Sequence, residues 1–103
     1  MDDSILITGA MQLPKQYRLL KPHERRMVRE EYARRQKGLC HHCKSPLKGP
    51  PAKSVTDLTL NLALFPPGFL DHPVHLHHCH CTGMTIGAVH AYCNGVLFQY
   101  HGE

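Results

Sequence analysis

Apolar and polar residues along this chain follow two different rhythms. Between Pro22 and Lys37 the apolar positions Met27, Val28 and Tyr32, with Ala33 beside them, form one narrow stripe in an otherwise charged stretch. That is the spacing of a helix that buries a single edge. Pro22 suits a first helical position and Gly38 a stop, so a helix is expected over residues 22–37. The four-apart pairs Glu30–Arg34 and Glu31–Arg35 would brace it. Further on, Leu58, Leu60, Leu62 and Leu64 alternate with Thr59, Asn61 and Ala63, the period of two of a strand, before Phe65-Pro66-Pro67-Gly68 halts the pattern. Those leucines read as core, with an edge that could pair two copies. Residues 73–78 read as another short strand, 82–85 as a turn, 86–90 as the returning strand and 94–99 as a short final helix.

The expected fold class is therefore α+β: a helix, then a strand-turn-strand-helix unit, in one domain spanning residues 1–103. Residues 1–21 form an N-terminal arm, weakly patterned to Pro14 and a connector beyond it. There is no internal repeat or low-complexity tract. The apolar runs are too short for a membrane span, and the start Met1-Asp2-Asp3 resembles no signal peptide. A soluble, cytoplasmic protein is expected, with no membrane partner.

Charge changes the picture. All 12 Lys and Arg residues lie between Lys15 and Lys53, against Glu24, Glu30 and Glu31 alone. Residues 54–103 contain none. A block this one-sided suits a polyanion, and Arg25, Arg26, Arg29, Arg34, Arg35 and Lys37 on the expected helix are the candidate DNA-binding residues.

A domain of 103 residues buries a modest core and gains from a staple. The chain holds five Cys and ten His. An odd Cys count at short spacings favours metal binding over a complete disulfide framework. Cys40-His41-His42-Cys43 and His90-Ala91-Tyr92-Cys93 share one spacing, and two such knuckles complete a tetrahedral zinc shell. Cys40, Cys43, His90 and Cys93 are the expected structural zinc site, forming a zinc-stapled domain. His41, His42, Cys79 and Cys81 are the competing ligands.

Four histidines, His75, His77, His78 and His80, crowd six residues. On a strand, His75 and His77 share one face, and His78 and His80 the other. Phosphodiester hydrolysis needs a proton acceptor in the histidine range and a metal to neutralise phosphate charge; this inventory contains both. A second structural metal site is the alternative use of the same residues. Asp71 and His72 are another possible metal pair. Tyr92, Phe98 and Tyr100 read as packing residues, and His101 as solvated.

The segment His77-His78-Cys79-His80-Cys81-Thr82-Gly83, through Gly87, to His90-Ala91-Tyr92-Cys93-Asn94, resembles the HNH nuclease motif of the zinc-containing, endonuclease VII-like branch. That branch commonly reads Asp-His-x-His-x-Thr-Gly, Arg-Gly and Cys-x-x-Cys-Asn, with an upstream Cys-x-x-Cys after a basic helix. The resemblance implies a ββα-metal (His-Me finger) core over residues 73–100. It places His78 on the general base, His77 and Asn94 on the ligands of a catalytic divalent ion, and His80 on an accessory catalytic position. The implied reaction is DNA phosphodiester hydrolysis with magnesium or manganese, leaving a 5′-phosphate and a 3′-hydroxyl.

Three positions depart from the pattern. His77 stands for the usual Asp, His90 for the first Cys of the second knuckle, and Ile86 for the Arg that contacts phosphate. Imidazole is softer than carboxylate, so manganese should serve at least as well as magnesium, with nickel or cobalt as substitutes. One active site per chain implies nicking by a monomer or weak homodimer, and small proteins of this kind are frequent in phages and prophages of bacterial hosts. The alternative function is a non-catalytic zinc-ribbon module that binds nucleic acid.

Overall fold

The computed structural model describes residues 11–103; the first ten residues of the expected arm lie outside the described part. Helix α1 (Pro22–Arg35) begins with Pro22 at its first position, and the Glu24 carboxylate accepts from the Lys21 backbone N–H at 2.8 Å, meeting one of the unpaired donors of a first turn. It ends two residues earlier than expected. Lys37 and Gly38 both take left-handed φ values of 60° and 77°, and Gly38 N–H closes on the Ala33 carbonyl at 2.8 Å, so Lys37 lies beyond the helix. Gln36 leaves the helix to pair sideways: its side-chain amide donates to the Ala88 carbonyl and accepts from the Ala88 N–H, both at 2.9 Å.

The buried edge of α1 also differs from the expected stripe. Val28 and Glu31 are buried while Met27 is 42% exposed. Arg34 turns to Glu31 rather than to Glu30, and Arg35 joins it, at 2.5 and 2.6 Å.

A one-turn helix, α2 (Lys53–Thr56), seats Val55 in the core. The expected strand over 58–64 does not form; Leu62–Leu64 is a 3-10 turn. A strand needs a neighbouring strand, and here side chains of the last helix take that place. Tyr92 Oη donates to the Leu58 carbonyl at 2.6 Å, Tyr100 Oη and Gln99 Nε2 donate to the Thr59 carbonyl, and Gln99 Oε1 accepts from Asn61 N–H. Leu58 and Leu60 pack against the core, whereas Leu62 and Leu64 are exposed.

Strands β1 (Val74–His78) and β2 (Thr85–His90) form an antiparallel two-stranded sheet pairing Val74 with His90 and His77 with Gly87, with an irregularity between His77 and His78. β2 feeds directly into α3 (Ala91–His101), with His90 as its N-cap. The final helix is thus longer at both ends than expected, and Cys93 sits in its first turn. Phe98 and Tyr100 are 41% and 46% exposed, so they border the core instead of closing it. The buried cluster joins Cys40, Leu47, Val55, Ala88, Val89, Cys93 and Val96, with Tyr32 and Ala33 of α1 and Val74 of β1 packed against it: the three helices and both strands meet around the two cysteine-bearing knuckles. The architecture is α+β, and no helix of the described residues is long and apolar enough to cross a membrane.

Candidate functional site

Cys40, Cys43, His90 and Cys93 bring four ligand atoms within 4.8 Å of one another. Residues 39–46 form a tight knuckle: Cys40 N–H donates to the Ser45 carbonyl at 2.8 Å, Lys44 N–H returns to Cys40 at 3.0 Å, and Lys44 takes a φ of 66°. His41 N–H binds the Ala88 carbonyl at 3.0 Å, holding the knuckle to β2. The second pair straddles the β2–α3 junction.

His90 is prepared for a metal. Its Nε2–H donates to the Pro46 carbonyl at 2.9 Å, which leaves Nδ1 as the lone-pair nitrogen facing Cys43 Sγ at 3.5 Å and Cys93 Sγ at 3.6 Å. Donors at zinc bond lengths stand about 3.5 Å apart in a tetrahedron, and a backbone carbonyl on the outer nitrogen is the usual orienting contact. Cys40 and Cys93 are fully buried. The Cys40 thiol falls to about 3, chiefly through its hydrogen bond with Cys93, and that same contact pushes Cys93 up. Crowded thiols cannot all ionise without a cation; a divalent one relieves the conflict. This cluster can hold a structural metal such as zinc. Cys79 and Cys81 do not join it: Cys79 Sγ accepts from Thr82 N–H at 3.5 Å and Cys81 is exposed. Asp71 and His72 are exposed in the loop before β1.

Among the described residues this is the one place where three or more Cys, His, Asp or Glu side chains converge in this way. The histidines of β1 are arranged differently. His77 is 2% exposed, and its Nε2 is buried without a hydrogen-bond partner. Burial lowers its pKa, while Glu103 and Asn94 beside it push the other way. His75 is likewise lowered by burial and accepts from Asn94 Nδ2 at 3.0 Å. His78 stacks on Tyr17, ring centroids 3.8 Å apart and 9° from parallel. The Arg25 guanidinium lies 4.0 Å over the same Tyr17 ring. One ring face cannot hold both, so Tyr17 is sandwiched between them. His78 is also lowered, first by burial and then by His80. The His80 ring is 5.2 Å from His78 and 5.7 Å from Phe98. His80 and Asn94 share a cleft of about 190 Å³ walled by Leu64, Phe65, Pro66, Phe69 and Phe98.

The candidate DNA-binding residues are unequal. Arg34 and Arg35 are committed to Glu31, and Arg35 also donates to the Met11 carbonyl. Arg25 is engaged with Tyr17, Arg29 is half-buried, and Arg26 and Lys37 are exposed. Sequence reasoning passed over Arg18, whose Nη2 donates to the His80 carbonyl at 2.7 Å, placing a cation at the hairpin tip. It also passed over Tyr17 and Glu103. All three come from segments without periodicity, so no pattern marked them. No protein-family model, curated protein or solved structure matches the chain.

Proposed function

We propose that this chain is a metal-dependent DNA endonuclease of the HNH type, with His78 as general base. The observation that carries the reading is the direct run of hairpin into helix: His77 and His78 end β1, Asn94 stands in the first turn of α3, and the Cys₃His cluster pins the junction between β2 and α3. This is the order expected of a ββα-metal core.

His77 and Asn94 would hold a divalent ion, whose contribution is to neutralise charge on the phosphate oxygens. The residues suit it: His77 presents a buried, unpartnered nitrogen, and the bond from Asn94 Nδ2 to His75 leaves the amide oxygen end for a cation. His78, kept neutral by burial, accepts the proton of the attacking water. Arg18 and the exposed residues of α1 attract the phosphate backbone, offsetting the Arg missing at Ile86. With one centre per chain, each visit nicks one strand.

A second reading, a non-catalytic zinc module that binds nucleic acid, draws on the Cys₃His cluster being the one convergent set among the described residues. Relaxation of supercoiled plasmid in manganese or magnesium separates the two. Wild type should nick, and His78→Ala should be at least a hundredfold slower while still binding DNA. Equal inactivity of both proteins across these metals, with DNA binding retained, would establish the binding module instead.

A further inference from the structure

We propose that Glu103 joins His77 as a protein ligand of the divalent ion, supplying the carboxylate that the HNH pattern ordinarily carries at position 77. This rests on the reading of His77 as a ligand of the hydrolytic ion.

The argument starts from an unpaired nitrogen. His77 is 2% exposed and its Nε2 has no hydrogen-bond partner, so it calls for a partner from outside the protein, a water or an ion. Its nearest acidic atom is Glu103 Oε1, at 3.6 Å. That separation is too long for a hydrogen bond. It is within a short side-chain movement of two donors on one cation: cis donors at about 2.1 Å on an octahedral ion stand roughly 3.0 Å apart, and the half-exposed carboxylate can close that gap.

The backbone holds Glu103 in this place. Gly102 adopts a φ of 72°, ending α3 in a left-handed turn, and Glu103 N–H returns to the Leu97 carbonyl at 2.9 Å. The chain is thereby folded back beside His77 instead of continuing outward. The Glu103 side chain stays 53% exposed and borders an open cleft with His41, His42 and His101, so an ion has a way in. Lys44 borders the same cleft, but its ammonium is tied to the His41 carbonyl at 2.6 Å.

A carboxylate changes the chemistry of the shell. It adds the negative charge and hard oxygen that an imidazole in place of aspartate lacks, and so suits manganese and magnesium.

Titration of the zinc-loaded protein with Mn²⁺, followed by electron paramagnetic resonance, tests this without reference to catalysis. Wild type should bind one exchangeable Mn²⁺. Glu103→Gln should bind it at least tenfold more weakly, Glu103→Asp should fall between, and zinc content and melting temperature without Mn²⁺ should not change. If Glu103→Gln binds Mn²⁺ within twofold of wild type while His77→Ala loses it, Glu103 is not a ligand and the nuclease centre stands. If wild type binds no exchangeable Mn²⁺, both this inference and the catalytic-metal reading fall.

Discussion

Asn94 Nδ2 donates to His75 Nδ1 across 3.0 Å, joining the first turn of α3 to the middle of β1. An amide nitrogen can only donate, so His75 must present a bare Nδ1 and stay neutral, as its burial favours. The bond also fixes which end of the amide is free. Under the proposed reading of Asn94 as an ion ligand, His75 would be its positioning residue.

Replacing His75 with Ala releases that amide. Affinity for exchangeable Mn²⁺ should fall about tenfold or more, the usual cost of losing an orienting partner, with zinc content unchanged. Magnetic-resonance titration of the variant measures this, and an affinity equal to wild type would show that Asn94 needs no such support.

The Cys₃His cluster links residues fifty positions apart, and two of its cysteines, Cys40 and Cys93, lie inside the hydrophobic core. Metal binding and folding are then one equilibrium. Cys93→Ala, or chelation under reducing conditions, should abolish the cooperative thermal transition seen by circular dichroism, and elemental analysis should find one zinc in the wild type. A sharp melt retained without zinc would mean that the hydrophobic contacts suffice.

Glu31 is buried beneath two arginines, and the bonds from Arg34 and then Arg35 hold its carboxyl at about 2, against an ordinary 4.5. A depressed folded-state value means stability present above pH 4.5 and lost as the pH falls towards 2. Arg34 is 56% exposed, so solvent screens part of the interaction. Glu31→Gln should cost about 1–2 kcal/mol at neutral pH, and the gap from wild type should close in urea melts taken below pH 3. A gap that persists at low pH would assign the loss to packing.

Gly87 shows how closely the knuckle approaches β2. A methyl there would stand 2.8 Å from Gln36 Oε1 and 2.9 Å from His41 Cγ. Gly87→Ala should destabilise by about 1–3 kcal/mol and lower the melting temperature by roughly 4–8 °C for each of those. Gly49→Ala, whose nearest neighbour would be the Pro46 carbonyl at 3.8 Å, is the matched control and should melt with wild type.

What could be read from the residues in advance is what depends on near neighbours. The two knuckles were legible because a two-residue gap between ligands is a local property. The hairpin and the start of α1 were legible from periodicity and Pro22. The alternating leucines misled because period two describes side chains, whereas a strand also needs a backbone partner; Tyr92, Gln99 and Tyr100, more than thirty residues away, provide those bonds instead. The Glu31–Arg35 pair follows from four-residue spacing, whereas the burial of Glu31 does not: Val28 and Tyr32 on its own edge draw it under. Glu103 depends on a left-handed turn at Gly102, and no rhythm announces where such a turn aims the next side chain.

The arm and the hairpin tip share more than proximity. Thr85 N–H donates to the Lys15 carbonyl at 2.9 Å, Lys15 N–H to Thr85 Oγ1 at 2.8 Å and Tyr17 N–H to the Gly83 carbonyl at 2.8 Å, while the Tyr17 ring covers His78. Opening the tip therefore means peeling off the arm, so their amide hydrogens should report one common opening free energy in hydrogen exchange. The loop that carries His80 is held by a strip of backbone more than sixty residues earlier in the chain.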